Sequence, residues 1–251
     1  MTILLTNDDG WNSAGIAKLA EIALQLTNEV YVVAPKGQRS AISHGITVRD
    51  VLRVERVDFP LPVKAAYSCS GTPADCVKLA VRELLPQKPD VVISGINFGY
   101  NLAYDTVYSG TVAAAMEGMY YGIESFAIST EGEQFSLVDL YLKEILQDCM
   151  KKSIKEHAIW NINFPACDQS GYQGIRETKP GIFSQFLDFF DKNEVTEGVW
   201  DYKMSNVPCL YEEPDTDVDA VKNGYISIGT LNCDFLKGRT TDAYLVTKQN
   251  K

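Results

Sequence analysis

The stretch ILLTNDDG, residues 3–10, places two adjacent carboxylates directly after the first apolar run of the chain. Such a run predicts a buried strand over residues 2–6, and Gly10 closes the turn that follows it. Two negative charges at one strand tip repel each other, and a divalent cation with oxygen ligands relieves that repulsion. A solvated turn is the alternative, and this short stretch by itself leaves both interpretations open.

Length and charge restrict the class of protein. A chain of 251 residues is long enough for one large α/β domain, or for one domain with an appended arm. The formal charge is −10 and there is no basic block, which argues against a nucleic-acid duplex or an anionic membrane surface as a partner. An acidic protein that binds an anionic substrate needs a local cation, so the charge also favours a metal.

Location and thiol chemistry follow from what the sequence lacks. No apolar stretch approaches the roughly 20 residues that a membrane span requires. No basic segment leads into an apolar one at the N-terminus, so we expect a cytoplasmic protein. The six cysteines form no C-x-x-C pair, which favours small buried thiols over a zinc site or a disulfide framework. With only His44 and His157 present, a site built from several histidines is excluded.

Apolar periodicity in the first half of the chain alternates between strand and helix. Thr72, Pro73 and Asp75 form a helix start with a capping box. Continuous apolar strands that alternate with helices predict an α/β fold, with a parallel sheet covered on both faces. The predicted elements are a helix over about 14–26, a strand over 30–34, the helix that begins at 72, a strand over 90–94, a helix over 111–121, a strand over 125–130 and a helix over about 137–152.

Two segments depart from this alternation. Residues 46–58 alternate apolar and polar side chains, which predicts a half-exposed antiparallel strand or hairpin, as an insertion over about 46–66. From about residue 170 the helical period fades, and we expect an irregular β-rich extension with loops over roughly 184–218 and short strands such as 225–228. The predicted division is therefore a catalytic core over 1–170 and a β-rich extension over 171–251.

Polar residues with short oxygen-bearing side chains follow three of the predicted strands. Asp8 and Asp9 end the first strand, Ser40 lies in the loop after the second, and Asn97 follows the strand DVVIS. In an open parallel sheet, ligands bind outside the carboxyl ends of the strands. Each of these residues alone is more often a turn or cap residue, but the set supplies the oxygen ligands that suit Mg²⁺ or Mn²⁺.

A second candidate element is the start of the helix at Ser109-Gly110-Thr111. Free backbone N–H groups and hydroxyls at a helix N-terminus favour an anion, although an ordinary N-cap is the simpler interpretation. Asn101 lies just upstream. A cation beside such a helix start suits a phosphate ester. Neither G-x-G-x-x-G nor G-x-x-x-x-G-K-[ST] is present, which removes the main support for a dinucleotide site or a P-loop.

Longer segments resemble one known family. The chain is similar to the SurE (survival protein E) family of metal-dependent nucleotide phosphatases, in the family's order and over most of its length. The matching segments are ILLTNDDGWNSAGI, PKGQRSAIS, SGTPADCV, SGINFGYNLAYDTVYSGTVAAAMEG, WNINFP and TDVDAVKNGYISI.

The resemblance implies a Rossmann-like, three-layer parallel-sheet core that hydrolyses nucleoside monophosphates. It implies one divalent cation per subunit, Mg²⁺ or Mn²⁺, with Ca²⁺ as a substitute in crystals. By position, the implied metal ligands are Asp8, Asp9, Ser40 and Asn97. The implied phosphate-binding residues are Asn101, Ser109, Gly110 and Thr111.

The catalytic roles are assigned to Asp8 and Asp9. We expect a metal-activated water to be the nucleophile, and direct attack by one of the two aspartates is the alternative. A nucleoside hydrolase that cleaves the N-glycosidic bond is a rival function, but residues 11–20 lack the further aspartates that it needs. A nucleotide-binding module without turnover is the non-enzyme alternative.

The resemblance also implies homodimers or homotetramers with C-terminal arms exchanged between subunits. The segment 184–237 is rich in aromatic residues despite its weak periodicity, and exposed apolar surface of that kind marks interfaces. Two positions depart from the family pattern: Ala41 stands where the family often has glycine, and SIGTL at 227–231 replaces the usual Thr-Pro-Leu ending.

Overall fold

A computed structural model describes residues 1–132, 135–152, 157–184, 186–208 and 213–233 of the chain. The predicted β-rich extension runs to residue 251, and its last part, 234–251, lies outside the described residues. Residues 209–212, with Cys209 among them, lie outside them as well. The remaining five cysteines are free thiols, four of them buried and Cys167 half-buried, in agreement with the expected thiol chemistry.

Among the described residues, the main sheet has nine strands in the order β3-β4-β2-β1-β5-β6-β7-β11-β8. The six strands from β4 to β7 in that order run parallel, which confirms the predicted α/β class. The edge strand β3 and the strand β11 pair antiparallel to their neighbours β4 and β7. The bounds are β1 Thr2–Thr6, β2 Glu29–Pro35, β3 Val54–Arg56, β4 Ala65–Cys69, β5 Val91–Phe98, β6 Glu124–Thr130, β7 Ala158–Phe164, β8 Gly174–Thr178 and β11 Tyr225–Asn232.

Helices cover both faces of the sheet. Alternate residues of β1 point to opposite faces, so Ile3 and Leu5 pack in the cluster that contains α1 and α4, whereas Leu4 packs in the cluster that contains α2 and α3. This arrangement is the three-layer core that the resemblance implies. The helices are α1 Ala14–Ala23, α2 Pro73–Leu79, α3 Gly110–Tyr120, α4 Ser136–Lys151 and α5 Asp217–Lys222.

The helix starts follow the predicted caps. At α2, Thr72 Oγ1 accepts a hydrogen bond from the Asp75 backbone N–H at 3.1 Å, and Asp75 Oδ2 accepts one from the Thr72 N–H at 3.0 Å. The capping box is therefore confirmed. Helix α2 then continues through one wider, π-helical turn over Ala80–Leu84.

The predicted strand over 46–58 is confirmed only as β3, which pairs antiparallel with β4. The preceding backbone is held by side chains from elsewhere: Thr47 N–H donates to the Asp75 carboxylate and Arg53 N–H donates to Ser70 Oγ. The apolar residues in this part are only partly covered: Val51 is 90% exposed, whereas Leu52 and Val54 are partly buried against the core.

The prediction of loops over 184–218 is wrong for residues 186–208. These form a long antiparallel hairpin of β9, Phe186–Thr196, and β10, Val199–Pro208, joined at Glu197-Gly198. Gly198 has φ +80°, which a turn of this kind requires and glycine adopts without strain. Within the described residues the hairpin has no buried face. Its first strand, β9, lacks apolar–polar alternation, whereas Trp200, Tyr202 and Met204 alternate with polar residues in β10.

The hairpin forms a two-stranded sheet of its own, whereas β8 and β11 on either side of it join the main sheet. Two strands from beyond residue 170 therefore extend the sheet that carries the first-half strands. The division of the chain at residue 170 stays a prediction.

Candidate active site

The turn after β1 is held by Asn7. Its Nδ2 donates hydrogen bonds to Gly10 O at 2.9 Å and to Ser13 Oγ at 2.8 Å, and its Oδ1 accepts one from the Gly10 N–H at 3.1 Å. Gly10 has φ +108°, a region that side chains with a Cβ rarely adopt. The backbone on both sides of Asp8 and Asp9 is thus fixed by local contacts that leave the two carboxylates free for other partners.

The two carboxylates are in unfavourable surroundings for their charge. Burial raises the pKa of Asp8 from 3.8 to about 6, against a hydrogen bond from Thr111 that lowers it, and the charge of Asp9 adds to the increase. Thr111 Oγ1 lies 2.5 Å from Asp8 Oδ1. Burial also raises the pKa of Asp9, whose Oδ2 accepts a hydrogen bond from the Phe98 N–H at 3.4 Å.

The loop with Ser40 and the end of β5 with Asn97 both reach this turn. Arg39 N–H donates to the Asp8 backbone O at 2.7 Å, which brings the neighbouring Ser40 to the turn, with its side chain exposed. Asn97 Nδ2 donates to Gly99 O at 2.7 Å, so its carbonyl oxygen remains available as a ligand. Phe98, the residue after Asn97, donates its N–H to Asp9. Asn97 is therefore the chain neighbour of a residue that contacts the carboxylate pair.

The N-terminus of α3 lies against Asp8. A Cβ at Gly110 would be 3.0 Å from the Asp8 Cβ, so a larger residue there would push the helix away from the carboxylate. Ser109 caps the helix, with its Oγ accepting a hydrogen bond from the Val112 N–H at 3.1 Å. Thr111, predicted to bind phosphate, gives its hydroxyl hydrogen to Asp8 in this structure.

Asn101 follows β5 and is held by three polar residues of the neighbouring strands β6 and β7. Its N–H donates to Asn163 Oδ1 at 2.9 Å, its Nδ2 donates to Ser129 Oγ at 2.8 Å, and its O accepts a hydrogen bond from Asn161 Nδ2 at 2.8 Å. The sequence analysis did not assign Asn161 and Asn163 to the site. The sequence does contain a signal for these two residues, because two amide side chains at alternate positions of an otherwise apolar strand must find hydrogen-bond partners when they are buried.

Asp217 was also missed. Its buried carboxylate accepts hydrogen bonds from the N–H groups of Ala103 at 2.8 Å and Gly181 at 2.9 Å. It therefore joins the loop after Asn101 to the segment that leads to the hairpin. Burial raises the pKa of this carboxyl, against those backbone hydrogen bonds. Nothing local in the sequence distinguishes this aspartate from an ordinary residue in the first turn of a helix.

The donor set fits a hard divalent cation. None of the ion pairs in the described parts of the chain gives Asp8 or Asp9 a lysine, arginine or histidine partner. Those parts also contain no cluster of three or more His, Cys, Asp and Glu residues suited to a metal. Two carboxylates with a hydroxyl and an amide oxygen nearby match Mg²⁺ or Mn²⁺ better than they match the nitrogen- and sulfur-ligated zinc sites.

Within the described ranges, no helix has the length and apolarity of a membrane span.

Comparisons with known proteins agree with this arrangement. The family model described as "Survival protein SurE" matches residues 3–185. A protein named "5'-nucleotidase SurE" from Pelotomaculum thermopropionicum is 41% identical over 239 residues, which cover 93% of this chain and 90% of that protein. Its namesake from Thermoanaerobacter sp. is 40% identical over 238 residues, with 93% of each chain covered.

The fold agrees as well. The crystal structure of the SurE protein from Aquifex aeolicus has a TM-score of 0.79 and 35% sequence identity to this chain, covering 100% of it and 98% of the Aquifex chain. The family model spans most of the residues that form the candidate site, from Asp8 to Asn163. The chain therefore belongs to the SurE family.

Proposed function

We propose that this protein is a phosphomonoester hydrolase that releases phosphate from nucleoside monophosphates. The observation that carries the proposal is the contact between the paired carboxylates and the start of α3, through Thr111 and Gly110. An electrostatically unsatisfied acidic pair beside a helix N-terminus offers a cation site and an anion site side by side. The printed name of the relatives, 5'-nucleotidase SurE, supports the same substrate class.

One divalent cation, Mg²⁺ or Mn²⁺, would be held by Asp8, Asp9, Ser40 and Asn97. A cation there polarises a phosphoryl oxygen and lowers the pKa of a water molecule, so that a nucleophile exists at neutral pH. The raised pKa of both carboxyls supports this assignment, because a cation removes the cost of ionising two adjacent buried groups.

The phosphate would be held by the start of α3 together with Asn101. The first N–H groups of a helix lack intrahelical partners, and the helix dipole favours a negative charge at that end. Gly110 keeps this backbone close to Asp8, so the bound phosphate and the cation would be neighbours. The hydroxyl of Thr111 would orient the Asp8 carboxylate, and that of Ser109 would be shared between its cap contact and the phosphate.

Water is the proposed nucleophile. Asp8 supports this choice, because one of its carboxylate oxygens accepts the short hydrogen bond from Thr111 and the side chain is buried. Asp9, the more exposed of the two, would bind the same cation, which leaves its oxygens engaged and not available to attack the phosphorus. No observation in the described residues favours N-glycosidic cleavage or binding without turnover.

We also propose a cytoplasmic homodimer or homotetramer with exchanged C-terminal arms. The hairpin of β9 and β10 supports this assembly, because it lies outside the main sheet and exposes large apolar side chains. An exchanged arm remakes the same contacts between subunits and so costs little.

Phosphate release from a panel of nucleoside monophosphates, with Mg²⁺, with Mn²⁺ and with a chelator, tests the proposed function. We expect phosphate release that requires the metal and returns when the metal is added back. Release of free base in place of phosphate would identify an N-glycosidase. Retention of nucleotide without any product would identify a binding module.

A further inference from the structure

A buried carboxylate lies in α3 away from the candidate site. The side chain of Glu117 is 6% exposed, and it contacts Lys78 Nζ at 2.7 Å and His44 Nε2 at 3.0 Å. Burial alone would raise the pKa of Glu117, but the hydrogen bonds from His44 and Lys78 hold it below its usual value. A buried carboxylate requires such partners, because an unpaired charge in the interior is costly.

One of these partners belongs to the loop that carries Ser40. The ring of His44 also stacks on Tyr120, with centroids 5.6 Å apart and an interplanar angle of 18°. Both contacts are made to α3, the helix whose N-terminus lies against Asp8. The far end of the loop is therefore fixed to the same helix that forms the proposed phosphate site.

The near end and the middle of the loop are fixed by backbone contacts. Arg39 N–H donates to Asp8 O at 2.7 Å, and Ser43 N–H donates to Tyr108 O at 2.8 Å. Ser43 Oγ donates to Val107 O at 2.9 Å. Ser40 itself is exposed, so its position depends on these neighbours.

The loop needs this support because its backbone is strained. Ala41 and Ser43 have φ of 52° and 53°, in the left-handed region that residues with a Cβ occupy at a cost. Such conformations persist only where the surroundings determine them strongly. Glycine, which the family often has in place of Ala41, would adopt this backbone without that cost.

We propose that His44 and Glu117 are positioning residues that hold the strained Ala41–Ser43 turn and so set the place of the Ser40 hydroxyl beside Asp8 and Asp9. Neither touches the reacting atoms. Their effect is on the affinity for the divalent cation, and the inference rests on the cation site of the proposed function. Lys78, in α2, donates to the other oxygen of Glu117 and lies outside the loop in sequence.

Two substitutions of His44 separate its ring contact from its polar contact. His44→Phe keeps a ring on Tyr120 and loses the hydrogen bond to Glu117, whereas His44→Gln keeps an N–H donor and loses the ring. We measure the Mn²⁺ dissociation constant without substrate, from the electron paramagnetic resonance signal of free Mn²⁺. We expect His44→Phe to weaken Mn²⁺ binding about tenfold or more, the usual cost of losing a group that orients a metal ligand. His44→Gln should stay close to the wild type.

Lys78→Met is the matched control, since it removes the other partner of Glu117 and leaves the loop alone. We expect it to lower the melting temperature and leave the Mn²⁺ affinity unchanged. In phosphate-release assays, excess Mn²⁺ should restore kcat of His44→Phe, because the defect lies in metal occupancy.

The outcomes distinguish this inference from the proposed function. A wild type that binds Mn²⁺ and releases phosphate, together with a His44→Phe variant of equal Mn²⁺ affinity, overturns the positioning role alone. Equal losses of Mn²⁺ affinity in His44→Phe and Lys78→Met also overturn it, because the cluster would then act only through folding. A wild type that neither binds Mn²⁺ nor releases phosphate overturns the proposed function, and the inference with it.

Discussion

The turn after β1 and the hairpin of β9 and β10 depart from ordinary burial in opposite directions. At the turn, Asp8 is 5% exposed and has no cationic partner among the described side chains. On the hairpin, Phe190 is 62% exposed and belongs to a sheet separate from the main one. Charged groups are normally solvated or paired, and large apolar groups are normally buried.

Each departure supports a different one of the two proposed partners. A buried acidic pair is stabilised by a small hard cation, whereas an exposed aromatic strand is stabilised by another protein surface. The two regions also differ in how they are built. The turn is completed by residues distant in the chain, such as Thr111, but the hairpin pairs with itself across Glu197-Gly198.

The largest expected effect is on catalysis. Asp9→Asn removes a charge that only the cation needs, so phosphate release should fall by about three orders of magnitude, the upper range for one lost electrostatic group. Asp8→Asn should act in the same direction. Asp201→Asn, an exposed change on the hairpin, is the control and should be neutral. Near-wild-type turnover in Asp9→Asn would contradict the cation site.

The next effect separates phosphate binding from cation binding. Ser109→Ala should lower kcat/KM by about one to three orders of magnitude, the scale of losing an oxyanion donor, with Mn²⁺ affinity unchanged. It also removes the cap of α3, which should cost about 1 kcal/mol of stability. Thr111→Val should lower both kcat/KM and the affinity for Mn²⁺, because the Thr111 hydroxyl donates to Asp8. Loss of Mn²⁺ binding in Ser109→Ala would refute this division of roles.

A smaller effect appears in the stability of the metal-free protein. The pKa of Asp8 is raised from 3.8 to about 6 in the fold, so its ionised form destabilises the native state above that pH. The penalty should fade as pH falls from about 6 to 4, because the folded carboxyl is then protonated. Asp8→Asn should remove a penalty of roughly 3 kcal/mol at most at pH 7.

Urea unfolding with chelator, at pH 7 and at pH 4.5, checks this expectation. The stability gained by Asp8→Asn over the wild type should be nearly complete at pH 7 and fall to about a third of that value at pH 4.5, where the unfolded carboxyl is still largely ionised. Added Mn²⁺ should reverse the order at pH 7, because only the wild type binds it well. A variant less stable than the wild type at pH 7 with chelator would contradict the assigned cost.

The smallest expected effect concerns the hairpin. If its aromatic residues lie in an interface, Phe190→Ser should weaken subunit association by about tenfold, a modest cost for a buried aromatic contact. Val51→Ser, at an apolar position 90% exposed outside the hairpin, should leave association unchanged. Light scattering at micromolar concentration measures both. A wild-type monomer of 27.8 kDa would rule out the exchanged arm.

Local patterns were the part of the fold that sequence reasoning recovered well. The strand before Asp8, the capping box at Thr72 and the helix from Gly110 depend on neighbours within a few residues, and each is confirmed. The hairpin was missed because β9 lacks apolar–polar alternation, and because the prediction of loops did not use the alternation of Trp200, Tyr202 and Met204 in β10.

The sequence by itself determined the α/β class, the family and the adjacency of Asp8 and Asp9, because these are written in short-range periodicity and contiguous segments. The tertiary structure alone decided that Thr111 lies against Asp8, that Asn163 holds Asn101, and that Glu117 reaches the loop of Ser40 through His44. Those contacts join residues 62 to 103 positions apart. Only the order of strands in the sheet brings such residues together, and no local propensity encodes that order.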